Sequence, residues 1–169
     1  MKRVFVADAS VLIDLQKLGA LHLLGILQGT DGCDIQTTRA LADEAMPSVS
    51  AADLAGYGIQ IVQTGIGVLA AAHGMRSDPN VSRRLSENDI ELLAHAQGTG
   101  GTVWTDDQLI HKTAERMGID HAWLFTPFVP LVAAGILPRN MLLGLGRNLM
   151  GINGRYTQRD FERLCDALK

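Results

Sequence analysis

Five carboxylates stand where a folded chain could gather them: Asp8, Glu44, Asp89 and the adjacent pair Asp106 and Asp107. Carboxylate oxygens are the hard donors that magnesium and manganese take, usually with several waters retained. Three or four such groups around one cavity repel each other strongly. They stay ionised together only where a cation neutralises them. A gathered set is therefore either a metal site or a group of partly protonated acids. Each acid also has a plainer structural reading. Ser86 and Asp89 have the spacing of a helix N-terminal capping box. Asp106 and Asp107 precede a helix whose positive dipole end favours acids. Glu44, with Asp43 beside it, could lie on the solvated face of a helix. Asp8 is harder to explain this way, because an apolar run leads straight into it and an unpaired buried carboxylate is costly. Asp14 is expected on a helix surface.

The elements that must position these acids follow from apolar periodicity. Short apolar runs predict strands at residues 4–7, 35–37, 58–63, 102–105 and 121–125. Leucines at helical spacing predict two helical stretches between residues 12 and 27, separated by Gly19. Further helices are expected at residues 38–45, 68–73, 86–98, 109–117 and 128–134, with Pro127 in the first turn of the last. Residues 74–85 read as a loop. Two more helical stretches fill residues 139–169, and Thr157 with Asp160 has capping-box spacing. Short strands alternating with helices argue for an α/β fold with a parallel sheet covered on both faces. In such sheets ligands sit outside the carboxyl ends of the strands. Asp8 follows the first strand directly, and Asp106 and Asp107 follow the fourth.

The chain has 169 residues, 47 % of them hydrophobic and 20 % charged, with a formal net charge of −3. These values fit one globular domain, here residues 1–169, with residues 139–169 as C-terminal helices packed on it. An acidic chain does not attract nucleic acid over its whole surface, so RNA would need a local basic patch or bound cations. Cys33 and Cys165 form no CxxC pair and are expected as buried thiols. The five histidines show no metal-ligand spacing, and His95 and His111 read as helix-face residues. Trp104, on a central strand, is expected in the core. The N-terminal run is interrupted by Asp8 and Asp14 and no membrane-length apolar stretch exists, so a cytoplasmic protein is expected.

Four segments carry a resemblance to a known family. VFVADASVLIDL, TTRALADEAM, LSENDIELLAHA and VWTDDQLIHKTAERMG occur in that order. They resemble the four acidic motifs of PIN domains, and GIDHAWLFTPFVPLVAAGIL looks like a subgroup described only as predicted nucleic-acid-binding proteins. The resemblance implies a PIN-like three-layer α/β/α fold with about five short parallel strands. It implies an acidic site of Asp8, Glu44, Asp89 and Asp106 holding Mg2+ or Mn2+. Asp107 rivals Asp106 for the fourth place, and Asp43 is a less favoured substitute for Glu44. Ser10 and Thr105 match the hydroxyl residues that support the first and fourth motifs. The implied activity is metal-dependent endoribonuclease hydrolysis of RNA phosphodiesters, leaving a 5′-phosphate and a 3′-hydroxyl. Many members are VapC-like toxins paired with an antitoxin protein, and homodimers are common. Residues 65–84 have no clear match to the family.

Arg83, Arg84, Lys112 and Arg116 are the candidate RNA contacts, with solvated surface cations as the plainer reading. Two other functions compete. A response-regulator receiver also sets acids at strand ends, but it pairs them early and places a Lys after a late strand, neither of which occurs here. A non-catalytic PIN-like module that binds RNA or a protein would keep the fold without turnover.

Overall fold

The computed structural model describes residues 2–169, with Asp31 described in its backbone only. Strands β1 (Val4–Ala7), β2 (Asp34–Thr38), β3 (Gln60–Val62), β4 (Thr102–Trp104) and β5 (His121–Ala122) form one parallel sheet in the order β3-β2-β1-β4-β5. The architecture is the expected α/β/α arrangement. β1 lies at the centre because Phe5, Val6 and Ala7 are apolar on both faces and can be covered from both sides. Its register pairs Ala7 with Trp104 and Val6 with Gln36. The Asp8 amide then donates to the Trp104 carbonyl at 2.9 Å, which places Asp8 beside Thr105.

Helices α1 (Ala9–Lys17), α2 (His22–Asp31), α3 (Arg39–Ala45), α4 (Ala51–Gly56), α5 (Ile66–Arg76), α6 (Glu87–Thr99), α7 (Gln108–Met117), α8 (Val129–Ala133), α9 (Arg139–Ile152) and α10 (Gln158–Ala167) complete the order. α6 lies against β1, β2 and β4, and α5 covers α6. Trp104 is fully buried between Phe5 and Phe128, and its indole N–H donates to the Leu124 carbonyl at 3.0 Å. Gly101 enters β4 where an added Cβ would lie 3.1 Å from the Val4 carbonyl oxygen, so only a residue without a side chain fits easily.

Several local expectations need correction. α4 was not expected, although Ser50 and Asp53 form a reciprocal capping box that opens it. Residues 74–76, expected in a loop, continue α5. The strand expected over residues 121–125 ends at Ala122, because the Leu124 amide donates to the Asp106 carboxylate instead of to a ladder. Asp14 is 3 % exposed, not a surface residue, because Asn153 reaches it from the tail with a bond of 2.6 Å. His95 and His111 are both buried. Cys33 is buried and Cys165 half-buried. No single helix is long and apolar enough to cross a membrane among the described residues.

The tail helices dock closely. A Cβ on Gly146 in α9 would lie 2.8 Å from a Leu164 methyl and 3.1 Å from the Phe161 ring on α10. Gly146→Val is therefore expected to lower stability by about 1–3 kcal/mol, the usual range for overpacking. Urea denaturation measures it, and an unchanged midpoint would contradict this packing.

Candidate acidic site

The carboxyl edge of the sheet is where the chain leaves β1, β2 and β4. Asp8 leaves β1 in extended conformation and stands at the N-cap of α1. Its Oδ2 accepts from the Ser10 hydroxyl at 2.6 Å and from the Thr105 hydroxyl at 2.8 Å. Among the described residues Oδ1 takes no hydrogen bond, so it remains for a ligand. Burial pushes the Asp8 carboxyl above its ordinary range. The Ser10 and Thr105 hydroxyls pull it back down, while the negative charges of Asp89 and Glu44 push it up again. Asp89 and Glu44 thus act on Asp8 although the chain separates them from it widely.

Asp89 sits in the first turn of α6, and its Oδ2 accepts from the Ser86 amide at 2.7 Å. The Ser86 hydroxyl accepts from the Asp89 amide in return. The structural reading of this pair is therefore real, and it engages one carboxylate oxygen only. Glu44 is exposed on α3 and accepts from the Asn88 side-chain amide at 3.1 Å. Asn88, which the motif reading passed over, ties α3 to the start of α6. Its only sequence signal is its place beside Asp89. Asp43 is also exposed and lies 3.8 Å from Arg39 one turn away.

The acids after β4 have partners of their own. Asp106 Oδ1 accepts from the Leu124 amide at 2.8 Å, and its Oδ2 is enclosed with no hydrogen-bond partner among the described residues. Burial pushes this carboxyl up to about 7. The Leu124 amide opposes that rise, Asp14 and Asp160 add to it, and Arg163 lowers it. Asp106 lines one cavity with Tyr156, Asp160 and Arg163 of the tail, and a second of about 330 Å³ with Ser10, Asp14 and Asp107. Asp107 caps α7 through the Leu109 and Ile110 amides, at 2.6 and 3.2 Å.

Thr105 joins the two regions. Its hydroxyl donates to Asp8 and accepts from the Asp107 amide at 3.1 Å. Its carbonyl accepts from His111 Nε2 at 2.8 Å. Among the described residues no three His, Cys, Asp or Glu side chains stand close enough to hold a metal ion directly. Arg83 and Arg84 are exposed just ahead of α6. Lys112 and Arg116 are exposed on α7, with Arg116 in its last turn, far along the helix from the acidic edge.

No model of a known protein family matches the chain, and no curated protein matches it.

Proposed function

We propose that this chain is a PIN-type endoribonuclease, dependent on a divalent cation and hydrolysing RNA phosphodiesters at the Asp8 edge of the sheet. One observation carries the reading. Asp8 is enclosed at the carboxyl end of the central strand, and the charged groups that act on it are the carboxylates of Asp89 and Glu44. A counter-charge at that edge would offset the burial and the like charges that Asp8 meets.

An all-oxygen donor set suits magnesium or manganese. Since no three acids gather closely enough for direct ligation, Asp8, Asp89 and Glu44 would hold the ion largely through its water shell. When bound, the ion supplies a Lewis acid that acidifies water and neutralises charge on the phosphodiester. The chain does the rest. Ser10 and Thr105 fix Asp8 Oδ2 and leave Oδ1 to face the ligand. Glu44, exposed and steadied by Asn88, is the group able to accept a proton from the attacking water. Arg83 and Arg84 stand where they could meet phosphates.

The test is cleavage of a labelled single-stranded RNA with manganese, magnesium or a chelator. Cutting that needs the metal and leaves 5′-phosphate ends is expected. RNA that stays intact under all three conditions overturns the nuclease. One finding favours a second reading, a non-cutting RNA-binding module: one oxygen of Asp106 is taken by the Leu124 amide and burial holds its carboxyl protonated up to about 7, so it is a poor cation ligand below that pH. That module would bind the same RNA and leave it whole.

The hydroxyl supports give a further expectation. Thr105→Val removes a donor to Asp8 and the acceptor of the Asp107 amide. Activity should fall by about 10–100-fold, the usual cost of losing a group that orients a metal-binding side chain. Stability should fall by about 1–3 kcal/mol. Ser10→Ala should lower activity in the same direction with a smaller loss of stability. Wild-type turnover in both variants would show that Asp8 needs no such support.

A further inference from the structure

α5 lies outside α6, and the face it turns away from the core is apolar. Val68, Ala72 and Met75 pack inward. Ile66, Leu69, Ala70, His73 and Gly74 are exposed, Ile66 at 87 % and Leu69 at 51 %. A helix that is apolar all round is ordinarily buried all round. Between Asp53 and Arg76 the chain has no Asp, Glu, Lys or Arg, although 20 % of its residues are charged overall. The helix is also held firmly in place. The Thr64 hydroxyl donates to Glu91 of α6 just before it, and the Arg76 guanidinium donates to the Leu85 carbonyl at 2.9 Å at its end. It therefore presents a fixed apolar surface of the kind that marks a contact site.

The shape of this face points to its partner. Ile66, Ala70 and Gly74 form one i, i+4 row, the ridge that interdigitates when helices pack. The row is large at its start and small at its end. A Cβ added at Gly67 or Gly74 would meet nothing within 4 Å, so the space there is open. Rotated by half a turn about an axis at Ala70, a second α5 would lay its Ile66 over Gly74 of the first, and the first would do the same in return. The patch then fits itself, as an isologous contact requires. An uncharged face also meets its own copy without like-charge repulsion. Nucleic acid would find no cation on it. A helix that lies on a membrane surface keeps Lys or Arg on its other side, where α5 is instead packed on α6.

We propose that α5 is the centre of a symmetric dimer of this chain, with the two helices antiparallel, Ala70 beside the two-fold axis and each Ile66 seated over the other copy's Gly74. The surface lies in residues 65–84, outside the motifs that carry the family resemblance, so it belongs to this chain rather than to the family. It does not depend on the nuclease reading. The 11 residues of α5 give a helix only about 16 Å long, which places the contact among the small, concentration-dependent interfaces.

Sedimentation equilibrium of the full chain from about 1 to 300 µM covers the range in which such an interface assembles. Wild type is expected to pass from monomer to dimer within it. Ile66→Glu puts a charge on an exposed site, and it should stay monomeric with an unchanged melting temperature. Gly74→Leu is the sharper variant. Its Cβ enters open space in an ordinary helical conformation, so the fold gains helix propensity and should melt no lower than wild type. Filling the seat of Ile66 should nevertheless weaken dimerisation by at least about tenfold. A wild type still monomeric at the top of the range overturns the proposal. So does a dimer that either variant leaves intact, since it would use another face. Monomers that instead co-sediment with phosphatidylglycerol vesicles, and lose this in Ile66→Glu, overturn it in favour of a lipid surface.

Discussion

Asp8→Asn is expected to reduce metal-dependent RNA cleavage by at least about 10²–10³-fold, the loss that follows removal of one preorganised electrostatic group. The same variant is expected to unfold at a temperature equal to or above that of wild type, measured in chelator. The reason lies in the opposing demands on this side chain. Its burial and the neighbouring Asp89 and Glu44 charges disfavour the ionised form. An asparagine amide oxygen can still accept from Ser10 and Thr105, and it carries no charge to disfavour. A carboxylate kept only for structure would show the opposite pattern, with stability falling and activity following it. An Asp8→Asn enzyme that cuts at the wild-type rate removes Asp8 from the site.

Asp106→Asn is expected to gain stability relative to wild type, by an amount that grows as pH rises from about 4 to about 7 and then levels off. The folded protein holds this proton up to about 7, whereas an unfolded carboxyl releases it near 3.8. Between those values the folded state binds more protons than the unfolded state, so raising the pH costs stability. At 1.36 kcal/mol for each tenfold in proton affinity, the full difference approaches about 4 kcal/mol. Asparagine has no such proton to lose, and its oxygen can keep the Leu124 amide bond. The comparison must be made between the two proteins, because other groups titrate in the same window. Asp8 and Asp14 are also raised and act in the same sense as Asp106. His111 is lowered, so its contribution grows as pH rises from about 4 towards 6.5. Denaturant midpoints of both proteins from pH 4 to 8 give the difference. Parallel curves would mean that Asp106 is solvated and ordinary.

The parts of this molecule that depend on near neighbours could be read directly from the chain. β1 is a continuous apolar run that suits only a strand covered on both faces, and Asp8 follows it by one residue. The Ser86 and Asp89 spacing specified its own hydrogen bonds. What could not be read was direction. Asp106 faces the tail because the Leu124 amide, 18 residues later, captures one of its oxygens. Asp14 looks like any polar residue on α1 until Asn153, 139 residues on, covers it. His111 belongs to an amphipathic helix, yet a carbonyl, a tryptophan and a second histidine enclose it. Such orientations are set by partners that no local pattern contains. α4 escaped notice for the opposite reason, since its six residues are too few to show a period.

The clasp between Asn153 and Asp14 has a practical side. It makes α9 part of what covers Asp14, so trimming the chain ahead of Asn153 would take away the amide that answers this carboxylate.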